Sequence, residues 1–157
     1  MRRFLLLYWL SIGLFFAIFY WELSPVAPIL NNMQTNFTTF LTSLTLPSDI
    51  MKGHHIVINS HYELVIEKAC NGMIPYLFFL ASIFAFPSTW RHTLVWALIG
   101  YVVIEFMNIL RIWIVSKMVL MDKNNFSLSH DYLGNMMLMV TVLLLFVLFV
   151  KTRRREV

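Results

Sequence analysis

TLVWALIGYVVIEFMNILRIWIVSKMVLM, residues 93–121, decides what kind of molecule this is. The run is apolar throughout except for Glu105, Asn108, Arg111, Ser116 and Lys117, and a stretch of that length reads as a helix in a hydrocarbon layer. If the helix enters at Thr93, a rise of 1.5 Å per residue puts Asn108 about 22 Å across and Arg111 about 27 Å, close to the far interface of a core roughly 30 Å thick. The span is therefore set at 93–111, with Ile112 to Met121 expected to tilt or lie along the far surface.

Three more spans follow on either side. Residues 71–90 make an apolar segment that can cross, with Pro75 near the first turn, where a missing amide costs little. Arg91 and His92 form a tight link to the next span. After a polar loop from Asp122 to Asp131, residues 132–150 are apolar and end in Lys151, Arg153, Arg154 and Arg155. At the other end, residues 4–21 follow Arg2 and Arg3; the run is long and no small-x-small cleavage site follows at once, so it is taken as a retained span rather than a signal peptide. The expected fold is an all-α integral membrane protein, one domain over 1–157, with about four transmembrane helices. Its 59% hydrophobic and 13% charged content excludes a water-soluble particle. The formal charge of +4 comes from cations at the edges of apolar runs rather than on one face, which excludes a nucleic-acid surface.

Those cations also set the orientation. Arg2, Arg3, Arg91, Lys151, Arg153, Arg154 and Arg155 crowd short segments on one side, whereas Lys52, Lys68, Arg111, Lys117 and Lys123 are spread over much more chain. The positive-inside rule then places both ends in the cytoplasm. Glu22 to Ala69 becomes an extracytoplasmic segment. Within it, Ile29, Leu30, Met33, Phe37, Phe40, Leu41 and Leu44 recur at helical spacing against Asn31, Asn32, Gln34, Thr35, Thr38 and Thr39, which predicts an amphipathic helix on the membrane surface, stopped by Pro47. Ile56 to Ile58 and Tyr62 to Ile66 have the β-branched content of a short hairpin.

This topology carries Cys70, Arg111 and His130 to one face. Cys70, the sole cysteine, starts the second span; Arg111 ends the third; His130 precedes the fourth. A thiol at a helix N-terminus near a cation ionises readily and becomes a nucleophile. A neutral histidine can take its proton and return it to a leaving amine, and an arginine suits a developing oxyanion. Asn108, one turn before Arg111, can hold the guanidinium or donate to the same oxygen. Glu105, at membrane depth, needs a partner such as Arg111 or Tyr101 and reads as structural support. The cluster His54, His55, His61 and Glu63 lacks metal-ligand spacing, so no metal and no organic cofactor is expected. The bland alternative is a non-enzymatic membrane subunit or chaperone that binds a partner's transmembrane helix through Arg111 and Glu105.

Three motifs, Glu67-Lys68-Ala69-Cys70-Asn71-Gly72, then Asn108-Ile109-Leu110-Arg111-Ile112, then His130 leading to Gly134 and the last span, resemble the exosortase and archaeosortase family of membrane-embedded cysteine transpeptidases. The resemblance covers roughly residues 60 to 150. It implies catalytic Cys70, Arg111 and His130, with Asn108, Asn71, Gly72 and Glu67 in support. It implies a prokaryotic cytoplasmic (inner) membrane, a site facing outside, and a substrate that is an exported protein ending in a short motif, a transmembrane helix and a basic tail. Membrane lipid surrounds both. Cleavage of that sorting signal would be followed by transfer of the new C-terminus to an acceptor. Asn71 departs from the family's common serine, and the chain is shorter than the larger exosortases, which marks it as similar to the compact members.

Overall fold

The computed structural model describes residues 2–153, so Arg154 and Arg155 of the basic C-terminal edge lie outside the described residues. The chain is a multi-pass membrane protein, and its described residues form four apolar helices: α1 (Arg2–Phe19), α3 (Met73–Ala85), α4 (Trp90–Met121) and α5 (Asn135–Thr152). Helix α2 (Ala27–Ser43) and a small antiparallel sheet lie between α1 and α3 in the chain. Helix α3 is central and packs against α1, α4 and α5. Phe79 and Ile83 of α3, Ile104 of α4, and Leu145 and Phe149 of α5 make the buried core. The opposite faces are apolar and exposed, with Leu6, Leu10, Leu98, Val102, Met139 and Leu143 pointing away from the protein. Such surfaces belong in lipid, where close packing rather than water exclusion holds helices together.

Among the described residues, three helical segments are long and apolar enough to cross a membrane: α1, α4, and the continuous Ser127–Thr152, in which a π-helix (Ser127–Gly134) runs straight into α5. The helix expected within 71–90 occupies only Met73–Ala85, about 20 Å at 1.5 Å per residue. Both ends have local causes. Gly72 has φ 75°, a left-handed backbone that stops helix growth toward Cys70. At the other end Phe86 is extended, as the residue before Pro87 must be. Pro75 does fall in the first turn. Helix α4 continues unbroken past Arg111 for 32 residues in all, about 48 Å, longer than a hydrocarbon core is thick. Thr89 caps its start by accepting from the His92 amide.

The extra length of α4 carries the sheet. Strands β1 (Met51–Lys52), β2 (His55–Asn59) and β3 (Tyr62–Val65) pair in that order, with Ile56 opposite Leu64 and a bulge between Val57 and Asn59. Ile56 and Ile66 pack with Leu46 and Ile112 into a second, smaller core that Cys70 touches. The hairpin expected from Ile56–Ile58 and Tyr62–Ile66 is therefore present, with one short strand added at its edge.

Helix α2 is amphipathic as expected, with its apolar face outward, but its polar face is covered by protein rather than left to water. Asn31, Gln34, Thr38 and Thr42 are buried against the protein, while Ile29, Met33, Phe37, Phe40 and Leu44 are exposed. The polar face turns inward because its partners are there. Thr38 Oγ1 donates to Glu105 Oε1 (2.6 Å) and Gln34 Nε2 to Glu105 Oε2 (2.8 Å). Tyr101 donates to Gln34 Oε1 at 2.8 Å rather than to Glu105. Glu105 thus pairs with neither Arg111 nor Tyr101; its partners come from a helix the sequence placed on the surface. A carboxyl at that depth requires such donors, since lipid supplies none.

Candidate functional site

Cys70 ends a 3-10 turn, Lys68–Cys70, closed by its own amide donating to the Glu67 carbonyl at 2.8 Å. Asn71 and Gly72 separate it from α3, so the thiol stands on a tight turn rather than on the first helical residue. Three residues fix that turn. Asn108 Nδ2 donates to the Cys70 carbonyl at 2.8 Å, so the asparagine holds the cysteine's backbone and not the guanidinium. Asn71, fully buried, accepts from the Met73 amide through Oδ1 (3.0 Å), and its Nδ2 reaches Thr35 Oγ1 (3.2 Å) and Asn31 Oδ1 (3.3 Å) of α2. A serine could cap Met73 but has no second arm to reach α2, which gives Asn71 a physical reason for standing where the resemblance has serine. Gly72 is required for its backbone, and a Cβ there would also press on Glu105 Oε2 at 3.2 Å and Asn108 Nδ2 at 3.3 Å.

Arg111 and His130 meet the thiol from two other segments. His130 Nε2 lies 3.8 Å from Cys70 Sγ and 3.0 Å from Arg111 Nη2. Its other nitrogen, Nδ1, is 2.9 Å from Asp131 Oδ1, and Ser127 Oγ donates to the second oxygen of that carboxylate at 3.0 Å. The ring stacks on Phe126 with centroids 4.9 Å apart. A guanidinium can only donate, so Nε2 accepts from Arg111 and the Nδ1 proton faces Asp131. The π-helix makes this arrangement by widening the turn that carries His130 and Asp131. Gly134 completes it: a Cβ there would come within 2.6 Å of Arg111 Nε, so the bare glycine gives the guanidinium stem its passage. Arg111 is buried, and among the described residues its Nε has no hydrogen-bond partner.

The electrostatics follow from these neighbours. Burial pushes the Cys70 thiol up, but the hydrogen bond with His130, the charge of Arg111, the charge His130 gains once it holds the thiol's proton, and a backbone contact with Glu67 together outweigh it, so the thiol sits below its ordinary value. A pH profile of iodoacetamide alkylation checks this. Since only thiolate reacts, wild type is expected to reach half-maximal rate at a lower pH than a free cysteine does. His130→Ala should move the midpoint upward, because two of the influences that oppose burial are lost. An unchanged midpoint would show that His130 does not set the ionisation of Cys70.

All three candidate residues therefore converge, with Asn108, Asn71, Gly72 and Glu67 shaping the turn. Asp131 belongs with them and was not singled out from sequence; its adjacency to His130 was the only signal. Gln34 and Thr38 were not singled out either; their place on the polar face of an amphipathic membrane-surface helix was the only signal. His54, His55 and His61 take separate partners in Thr39, Glu63 and Ser60.

The family model described as Transmembrane exosortase (Exosortase_EpsH) matches residues 2–147. No curated protein and no solved structure matches the chain significantly. The match runs from the start of α1 to within the last turns of α5 and takes in every residue of the cluster just described. With apolar helices of the required kind and nearly the whole chain within that match, the protein belongs to the transmembrane exosortase family.

Proposed function

We propose that the chain is a cysteine transpeptidase or protease of a prokaryotic cytoplasmic membrane, acting on exported proteins that end in a short motif, an apolar helix and a basic tail. The single observation that carries this reading is the meeting of Cys70, Arg111 and His130 from three separate segments, with Nε2 between the sulfur and the guanidinium. The basic residues at the far end of the bundle favour an orientation with this site outside. A groove of about 580 Å³ between α1, α3 and α5, lined by Tyr8, Ile74, Phe78 and Leu138, ends at Ala69 and Arg111. An apolar substrate helix in that groove would bring the residues preceding it to the thiol.

In the reaction, His130 Nε2 takes the Cys70 proton as Sγ attacks the scissile carbonyl, and Asp131 holds the proton on Nδ1. Protonation of Nε2 removes the acceptor that Arg111 Nη2 had in the resting site, so the guanidinium is released toward the new oxyanion. The C–N bond then breaks, the amine leaves with the proton from Nε2, and a thioester remains on Cys70. An acceptor amine or water, deprotonated by His130, attacks the thioester and restores the thiol.

Trapping the thioester tests this. The full chain is co-expressed with an exported protein bearing such a C-terminal segment and a tag on each side of the motif. Expected is an adduct carrying only the N-terminal tag, released by neutral hydroxylamine, and missing from Cys70→Ala. An adduct that resists hydroxylamine, or cleavage with no cysteine-linked species under any quench, would exclude acyl transfer through this thiol.

A further inference from the structure

The wall formed by Cys70, Arg111 and His130 closes one side of a cavity of about 90 Å³. Its other walls are Ile56, Leu64, Ile66, Ile112, Val115 and Phe126. Nothing in the acyl-transfer steps uses this space. Its apolar walls are firm: Ile56, Ile66 and Ile112 belong to the small core beneath the sheet, Val115 is buried on α4, and Phe126 is stacked on His130. The one hydroxyl lining it, on Ser116, already donates to the Ile112 carbonyl at 2.7 Å. A charged or amide group placed there would find no partner apart from the reacting residues themselves. Size restricts the occupant further. An apolar cavity of about 150 Å³ takes a benzene ring, so this smaller one suits a branched aliphatic side chain and not an aromatic one.

Resting on the acyl-transfer reading above, we propose that this cavity is the subsite for the residue on the acyl side of the scissile bond, and that it selects valine, isoleucine or leucine. A carbonyl brought to Sγ has the cavity immediately beside it. The acyl-side residue is also the one that must be held through both halves of the reaction, while the leaving segment departs and the acceptor enters. Seating its side chain fixes the thioester carbonyl against Arg111.

The test uses membranes containing the full chain and capped dipeptide chloromethyl ketones that differ only in the last residue: Val, Leu, Phe or Asp. The thiolate displaces chloride, and mass spectrometry follows the adduct on Cys70. Each rate is divided by that of iodoacetamide, which has no side chain to seat. The Val and Leu probes are expected to react at least about tenfold faster than Phe and Asp on this scale, the discrimination a hydrophobic pocket ordinarily gives. Val115→Phe fills the cavity and should erase the advantage of Leu; Ile112→Ala enlarges it and should bring Phe to within a few-fold of Leu. Equal relative rates in wild type, or a preference that survives both variants, overturn the subsite and leave the nucleophile standing. A Cys70 that neither iodoacetamide nor any peptide alkylates overturns the nucleophile and the subsite with it.

Discussion

Cys70→Ala is expected to reduce processing of a C-terminally tagged substrate by about 10⁴-fold or more, the scale on which removal of a covalent nucleophile acts. The substitution deletes one sulfur and little else. The Cys70 amide still closes its turn on Glu67, and its carbonyl still accepts from Asn108, so a variant present at wild-type level in the membrane retains the site's shape. Cys70→Ser sharpens the result. It restores an atom that can donate to His130, but a hydroxyl ionises far less readily than this thiol, and activity should stay near that of the alanine variant. Gel mobility of the substrate in cells carrying each variant reads the outcome. Normal processing by Cys70→Ala would remove the cysteine mechanism and leave a subunit that binds a partner's helix.

Arg111→Lys is the second large effect: about a 10²- to 10³-fold loss in processing, the usual consequence of losing an oxyanion donor. Lysine keeps the charge, so the experiment separates charge from geometry. The guanidinium reaches His130 Nε2 with one nitrogen while its stem passes beneath Gly134. A single ammonium on a flexible stem cannot reproduce that fork. The charge should nonetheless continue to favour thiolate, so alkylation of Cys70 in Arg111→Lys is expected to remain within a few-fold of wild type. Processing within a few-fold of wild type would show that charge alone suffices and that the fork has no part in the transition state.

How far these features can be read in advance depends on the physics behind each. The long apolar runs at 4–21, 93–121 and 132–150 declare their helices because hydrophobicity alone decides them. The brevity of α3 was not legible, since it depends on Gly72 adopting a positive φ and on Pro87 dictating the conformation of Phe86. For α2 the periodicity and the outward apolar face were correct, and what the pattern did not reveal was that protein covers the polar face. A helical pattern defines two faces but not which solvent each meets, and next to lipid the polar face is the one that must find protein. The same logic runs through the site. Counting residues across the spans brought Cys70, Arg111 and His130 to one end, because topology is set by charge and length. It could not find Asp131, because neighbours in a regular helix point apart and the widened π-turn has no marker in the sequence. Nor could it find the true partner of Asn108, which shares a helical face with Arg111 yet binds the Cys70 carbonyl.

The contact between α2 and α4 also places a clock on assembly. Gln34 and Glu105 are 71 residues apart, and at synthesis rates of about 5–20 residues per second the ribosome needs several seconds to pass from one to the other. During that interval Gln34 and Thr38 of α2 lack the carboxylate that they bind in the finished structure. Asn31 and Thr35 of α2 can meet Asn71 earlier, because Asn71 is made before Glu105. The tie between α2 and α4 therefore has to wait for the third apolar run, which orders the polar contacts of α2 in time as well as in space.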